Sequence, residues 1–202
     1  MAPVTLEALL DGQWQRAATL DFPEEPLGHL GRCYFEYDYE YLDRWLGTKR
    51  FDVEASVGLP LEFGPTSLAA WPAFLDDLRP MGNARRWWLR RLTLADTPAS
   101  DVRLLQQGTA APIGNLRIAE AVPARTQTPR RFPAQAVIDR EHDFLEWAAE
   151  QGAQVGGATG AGGDSPKILL RREADGQVWL DVWQDEPQAS AAHARLTAWG
   201  LS

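Results

Sequence analysis

The stretch VTLEALLDGQWQRAATLDF, residues 4–22, constrains the fold more than any other part of the chain. Its two arms flank Asp11-Gly12, a dipeptide typical of a two-residue β-turn, so the stretch predicts an antiparallel hairpin. A third strand is predicted in GRCYFEYD, where Cys33, Phe35 and Tyr37 alternate with polar residues. The chain therefore begins with a β-sheet that buries one face.

The next segment alternates between predicted helices and one further strand. YEYLDRWLG predicts a short helix closed by Gly47. ASVGLPLEF predicts a strand or extended segment with Pro60 at an edge. Residues 68–79 predict a helix with Pro72 in its first turn, where the missing N–H does no harm.

Two more helices and a strand complete the predicted first unit. ARRWWLRRL predicts one helix, and the run from Thr97 to Gly108 predicts another. NLRIAEAV, residues 115–122, predicts a strand. Strands early and helices later give an α+β class: a small N-terminal β-rich subdomain with helices.

A second unit is expected after a proline-rich boundary. PARTQTPRRFPAQA holds three prolines and few large apolar residues, which favours a linker. A helix in VIDREHDFLEWAAEQGA and a hairpin around Asp175-Gly176 follow, and the last stretch, QDEPQASAAHARLTAWGLS, is weakly helical. The expected organisation is 1–122 as one subdomain, 123–137 as linker and 138–202 as the second unit.

Charge and composition exclude several functional classes. The net charge is −8, whereas proteins that coat nucleic acid present a basic face, so we do not expect direct nucleic-acid binding. No apolar run is long enough to span a bilayer, and no secretory signal precedes the hairpin. Cys33 is the single cysteine, so no intrachain disulfide can form, and a buried apolar role in a cytoplasmic protein is expected.

One basic cluster allows two interpretations. The segment NARRWWLRRL carries Arg85, Arg86, Arg90 and Arg91 around a tryptophan pair. The first interpretation is a helix whose arginines flank buried indoles, with the charged heads in water. The second is a local site for phosphate or for an acidic partner. The first is favoured.

No complete catalytic or metal-binding pattern is present in the sequence. GATGAGGDSPK is glycine-rich but lacks the GxxxxGK[ST] string of a Walker A loop, so a flexible connection is the simpler interpretation. HExxH and GxSxG do not occur, and His29, His142 and His193 share no ligand spacing. We therefore expect no catalytic residue and no metal site.

Taken in order, five stretches resemble the N-terminal part of HipA-like serine/threonine kinases, the toxin partners of bacterial toxin–antitoxin modules. They are YFEYDYEYLDRWL, ASVGLPLEFGP, WPAFLDDLRPMGNARRWWLRRL, APIGNLRIAEA and GGDSPKILLRREADGQVW. The resemblance covers about residues 4–180 and implies an N-terminal subdomain followed by the start of a kinase N-lobe.

The resemblance implies a weak nucleotide site and no catalysis by these residues. In the family the glycine-rich loop lies beside the ATP phosphates, and its positions here are Gly160, Gly162, Gly163, Asp164, Ser165 and Lys167. Phosphoryl transfer also needs a further lysine, a catalytic Asp and an Asn for metal. No lysine follows Lys167, and HxDxxxxN does not occur, so ATP and Mg²⁺ are expected only with a complete family member.

Two functions remain open from the sequence. The first is a truncated HipA-like toxin, inactive by itself, whose hairpin at 167–183 leaves an apolar face bare for self-association or for a separate kinase body. The candidates on that face are Ile168, Leu170, Val178 and Leu180. The second is a stand-alone module that binds and restrains a separately encoded kinase through residues 32–92. A HipB-like antitoxin is a further expected partner of the family.

Overall fold

The computed structural model describes residues 3–109, 114–122, 130–155, 167–180 and 194–197. The strands are β1 Val4–Leu10, β2 Gln13–Asp21, β3 Cys33–Tyr37, β4 Thr66–Leu68, β5 Leu116–Ile118, β6 Arg131–Pro133, β7 Lys167–Arg172, β8 Gln177–Trp179 and β9 Ala194–Thr197. The α-helices are α1 Tyr39–Trp45, α2 Phe74–Leu78, α3 Gly82–Leu92, α4 Asp101–Gln107, α5 Ala134–Ile138 and α6 His142–Val155. Short 3-10 helices span Glu25–Leu30, Pro98–Ser100 and Ala119–Ala121. The expected α+β class is confirmed.

The predicted N-terminal hairpin forms the centre of the first sheet. Five antiparallel strands follow the order β4-β3-β2-β1-β5. Asp11 has φ 52° and Gly12 has φ 76°, the left-handed pair that a tight hairpin turn with the sheet's twist requires. Because the two edge strands have three residues each, they offer little unpaired backbone to other chains.

One face of this sheet carries the main hydrophobic core. Alternate residues of β1, from Val4 to Leu10, are buried, and so are Cys33, Phe35 and Tyr37 of β3. The alternation predicted for β3 is therefore confirmed, and β1 shows the same period of two. Burial and the nearby carboxylate of Asp21 raise the pKa of Cys33 to about 12, so the thiol is a neutral core group.

Two predicted elements between residues 55 and 79 differ in the structure. ASVGLPLEF forms no strand, and its only ladder contact is the bridge between Ser56 and Leu59. The strand lies later, at β4, because Gly58 and Pro60 interrupt regular pairing in the predicted stretch. The predicted helix 68–79 begins only at Phe74, since Leu68 pairs with Cys33 in β4.

The helices from residue 82 to 108 agree with prediction, and the following strand is shorter than predicted. Helix α4 follows the 3-10 turn at Pro98 and ends at Gly108. The strand expected over 115–122 stops at Ile118, where a 3-10 turn begins. That turn brings the Glu120 carboxylate within 3.0 Å of the Thr5 backbone N–H. This hydrogen bond ties the turn to the start of β1.

A second sheet has the order β6-β8-β7-β9 and its own apolar cluster. The cluster is made of Phe132, Val137, Phe144, Ala148, Leu170, Val178 and Leu180. Within the predicted linker 123–137, residues 123–129 lie outside the described residues. Arg131–Pro133 forms β6, and α5 begins at Ala134. The second core therefore begins inside that segment, while the division into domains stays a prediction.

The predicted hairpin around Asp175-Gly176 is confirmed, but three of the four apolar residues expected on its bare face are buried. Leu170, Val178 and Leu180 are buried in the second cluster, because β6, α5 and α6 contribute side chains to the same core. The outer edge of β7 is paired with β9, where Ile168 lies opposite Leu196. The expectation of weak helix at the end of the chain is wrong for residues 194–197, which form this strand. The remainder of that stretch beyond residue 183 lies outside the described residues.

Helices α3 and α6 lie next to each other, so the parts of the chain carrying the two sheets are in contact. Trp88, Leu89 and Leu104 form a small third cluster between α3 and α4. No helix among the described residues has the length and apolarity that crossing a bilayer requires.

A candidate interaction surface

Most of the predicted nucleotide loop lies outside the described residues. This holds for Gly160, Gly162, Gly163, Asp164 and Ser165. Lys167 begins β7, opposite Thr197 of β9. The role of this loop stays a prediction.

The arginine cluster on α3 agrees in part with the first of its two interpretations, since one of the two indoles is buried, but the Arg85 head group lies in ion pairs and not in water. Trp87 and Trp88 pack edge to face with ring centroids 4.9 Å apart, and Trp88 is buried. The Arg91 guanidinium lies 5.8 Å from the Trp87 ring centroid. Arg85 pairs with Asp96 at 2.8 Å and with Asp101 at 2.7 Å. Because two carboxylates already surround Arg85, it does not present a free positive charge to an anion.

Asp101 is the centre of a buried polar cluster. Its side chain is fully buried, with 0% relative exposure. One carboxylate oxygen lies 2.6 Å from Nδ1 of His29 and 3.3 Å from a guanidinium nitrogen of Arg79, and the other accepts from Arg85. Burial opposes ionisation, but the hydrogen bonds from His29 and Arg85 outweigh it and lower the pKa of Asp101. The cluster joins the first 3-10 helix, the end of α2, α3 and α4.

Gly28 makes the close approach to Asp101 sterically feasible. Its φ is 54°, and a Cβ there would lie 2.1 Å from the carbonyl oxygen of Pro98 and 2.7 Å from the Asp101 carboxylate. No residue with a side chain fits without moving this backbone. Since its charged groups are hydrogen-bonded to one another, the cluster holds these elements together and offers no open site.

Two buried tyrosines hold the irregular segment 51–63, here called the tyrosine-anchored loop. The Tyr41 hydroxyl donates to the carbonyl of Val53 at 2.7 Å. The Tyr37 hydroxyl donates to the carbonyl of Leu59 at 2.6 Å and accepts from the Ala55 N–H at 3.0 Å. Burial raises the pKa of Tyr37 to about 12, with the Ala55 N–H opposing, so the hydroxyl stays a donor at neutral pH.

An arginine fixes the start of this loop. Arg50 bonds Asp11 in the β1–β2 turn at 2.7 Å and Asp52 at 2.9 Å. Its guanidinium also lies 4.8 Å from the Trp45 ring centroid. Hydrogen bonds from Arg50 lower the pKa of Asp52. The loop is therefore fastened at its beginning by charge and in its middle by tyrosine hydroxyls.

The fastened loop displays large apolar side chains to solvent. Phe51 is 93% exposed, Val57 97% and Phe63 62%, while Val53 and Leu59 are buried. The Phe63 ring lies 6.0 Å from that of Tyr39 on α1, which is 70% exposed. Exposed apolar side chains on a rigid support are typical of protein-binding sites, because little conformational entropy is lost on binding.

The binding segment predicted from the sequence contains this surface, but the loop itself was not identified. A stand-alone module was expected to bind through residues 32–92, which contain the loop. ASVGLPLEF was interpreted as a strand or extended segment, so the exposed apolar residues of an irregular loop were not expected there. The glycines and prolines at Gly58, Pro60, Gly64 and Pro65 were the available indication of an irregular loop.

The described residues hold no group of three or more His, Cys, Asp or Glu side chains able to bind a metal ion. In comparisons with known proteins, the sequence model of the HipA N-terminal domain family matches residues 19–119, half of the chain. The chain therefore belongs to the HipA N-terminal domain family. No curated protein and no solved structure matched. The matched range runs from β2 through β5 and contains the whole tyrosine-anchored loop.

Proposed function

We propose that this chain is a protein-binding module of a HipA-type toxin–antitoxin system and that it binds the catalytic body of a HipA-like kinase. The observation that carries the proposal is the tyrosine-anchored loop, which presents Phe51, Val57 and Phe63 within the family-matched range. Since no metal-binding cluster accompanies this surface among the described residues, and since its exposed side chains are apolar, binding is favoured over catalysis.

The test is a titration with a HipA-like kinase body that lacks its own N-terminal subdomain. We expect binding, and we expect Phe51→Ser and Phe63→Ser each to weaken it about tenfold or more, as for anchor residues at a protein interface. Ile138→Ser is the matched control, because Ile138 is 69% exposed but lies on α5. An affinity that neither Phe51→Ser nor Phe63→Ser weakens would contradict the proposal.

A second candidate is a HipA-like toxin in which the same surface contacts its own kinase body. The helix α6 and the hairpin β7–β8, which resemble the start of a kinase N-lobe, favour it. Under either proposal, these 202 residues transfer no phosphoryl group by themselves. Incubation with ATP, Mg²⁺ and a generic acceptor should give no labelled product, and autophosphorylation that disappears in Lys167→Ala would contradict this.

A further inference from the structure

The tyrosine-anchored loop lies within an acidic segment of the chain. Residues 36–63 carry seven carboxylates against three basic side chains, so about half of the net charge of −8 falls in this segment. A partner that approaches the exposed apolar residues must therefore also approach a strongly negative surface.

The basic side chains in this segment are largely engaged, whereas most carboxylates are not. Arg50 bonds both Asp11 and Asp52, and Arg44 donates to Gln15 at 3.0 Å. By contrast, the side chains of four acidic residues make neither an ion pair nor a hydrogen bond with any residue that the structure describes. They are Glu36, Glu40, Asp43 and Glu54. Their charge is thus available to a partner.

One carboxylate lies on the same helical stripe as two apolar residues. Tyr39, Asp43 and Leu46 are exposed and recur at the spacing of one face of α1, and the Phe63 ring adjoins Tyr39. The buried side chains of α1, Tyr41 and Leu42, face the core. The exposed stripe therefore combines aromatic and aliphatic groups with an unpaired negative charge.

We propose that the stripe and the loop together bind a cationic segment of the partner protein that carries an aromatic or aliphatic anchor. The anchor packs against Tyr39 and Phe63, while lysine or arginine side chains meet Asp43 and its neighbours. Nucleic acid and anionic lipid are excluded as ligands, because their phosphates would be repelled. The proposal rests on the proposed function, and it specifies the chemistry by which the kinase body is bound.

Two synthetic amphipathic peptides test the charge requirement directly. They share leucine and tryptophan positions, and one has lysine where the other has glutamate. Fluorescence anisotropy with the full chain should show binding of the lysine peptide and at least tenfold weaker binding of the glutamate peptide. Raising NaCl from about 0.05 M to about 0.5 M should weaken the lysine peptide's binding at least tenfold, because screening shortens the reach of the charges.

Site-specific variants separate this surface from the bulk charge of the protein. Asp43→Lys and Phe63→Ser should each weaken binding of the lysine peptide about tenfold. Asp143→Lys makes the same charge change on α6, where the side chain is also exposed, and should leave binding unchanged. Equal binding of the two peptides, no binding of either, or equal losses in Asp43→Lys and Asp143→Lys would each overturn the proposal.

Binding of the kinase body tests the proposed function and the cationic partner segment separately. If it fails to bind while the lysine peptide binds at this surface, the proposed function fails and the inference about the surface stands. If it binds and neither Asp43→Lys nor added salt weakens it, the proposed function stands and the cationic partner segment is wrong.

Discussion

The two sheets of this protein are stabilised in different ways. The first sheet, with its helices up to residue 122, buries strands of up to nine residues together with hydrogen-bonded tyrosines and the charged Asp101 cluster. The second sheet relies on an apolar cluster around Phe132 and on strands of three to six residues. In the first region buried polar groups are added to the main hydrophobic core, whereas the buried side chains described in the second region are apolar or aromatic.

This difference explains which region can carry a rigid binding surface. Buried hydrogen bonds are directional, and each one left unmade costs free energy, so they specify one conformation. The tyrosine-anchored loop is held in this way although it has no regular secondary structure. Apolar contacts in the second region stabilise without the same directionality.

The largest expected effect is the loss of the second core in Phe132→Ala. The Phe132 ring packs against Phe144 and Trp147 at centroid distances of 5.4 and 4.9 Å. Removing a buried phenyl ring costs about 3–5 kcal/mol, a large fraction of what so small a cluster supplies. Hydrogen exchange should show lost protection in β7 and β8 and retained protection in β1 and β2. Phe51→Ala, at an exposed ring, is the control, and equal loss in both sheets would show that the regions unfold together.

Asp101→Ala should damage the first region instead. The change leaves the buried Arg79 and the partly buried Arg85 without their central carboxylate, and we expect a loss of about 3 kcal/mol, because each arginine keeps a second acidic partner. Urea unfolding followed by tryptophan fluorescence measures it. Asp96→Ala removes the exposed partner of the same Arg85 and should cost less than about 1 kcal/mol. Equal losses of unfolding free energy in Asp101→Ala and Asp96→Ala would mean that the burial of Asp101 adds nothing to its contribution to stability.

Acid should destabilise the first region by protonating the Asp101 carboxylate, but the loss of unfolding free energy should be smaller than in Asp101→Ala. The pKa of Asp101 is lowered from its ordinary value of 3.8, so its contribution is complete above that value. It is lost as pH falls through the lower folded pKa, because the unfolded chain takes up the proton first. Unfolding free energies from pH 5 to pH 2 should fall less steeply in Asp101→Asn than in the native chain. Identical slopes in the two proteins would show that Asp101 does not contribute to the loss of stability in acid.

The smallest effects are expected from replacing two buried indoles. Trp71 and Trp179 each bury an Nε1 that has no hydrogen-bond partner among the described residues. A Trp→Phe change removes this unsatisfied donor but also some packing, so each shift should stay within about 1 kcal/mol. Trp71→Phe should be the more favourable change, because Trp179→Phe also removes the indole that makes cation–π contacts with Arg131 and Arg171 at 5.6 and 5.9 Å. The urea midpoints of the two variants give the comparison, and a large loss in Trp71→Phe would contradict it.

The sequence predicted what depends on local patterns. The hairpin at Asp11-Gly12, the alternation in β3 and the end of α4 at Gly108 follow from period and turn chemistry, and the order of five stretches pointed to the HipA family. The sequence did not predict what depends on distant partners. The edge strand β4 is fixed by pairing with Cys33, and β9 by pairing with β7.

The candidate surface was missed for a similar reason. Nothing local to residues 51–63 indicates that Tyr37 and Tyr41, more than ten residues earlier, donate hydroxyls to the carbonyls of Leu59 and Val53. Likewise Asp101 looks like an ordinary residue at the start of a helix until His29 and Gly28 are brought against it. Side-chain hydrogen bonds between remote segments leave no periodic trace in a sequence.

The position of β1 in the first sheet affects the order in which the chain can fold during synthesis. β1 is made before the other strands described here, yet its second neighbour, β5, lies more than a hundred residues later, as the Glu7–Arg117 pair shows with a separation of 110 residues. The entropy of closing so long a loop grows only with the logarithm of its length, but pairings between distant residues form slowly. Strands β1 to β4 can therefore assemble while one edge of β1 is still open. Until residue 118 has been added, that edge exposes unpaired backbone to other nascent chains, so the emerging protein is most prone to misassociation before β5 has been made.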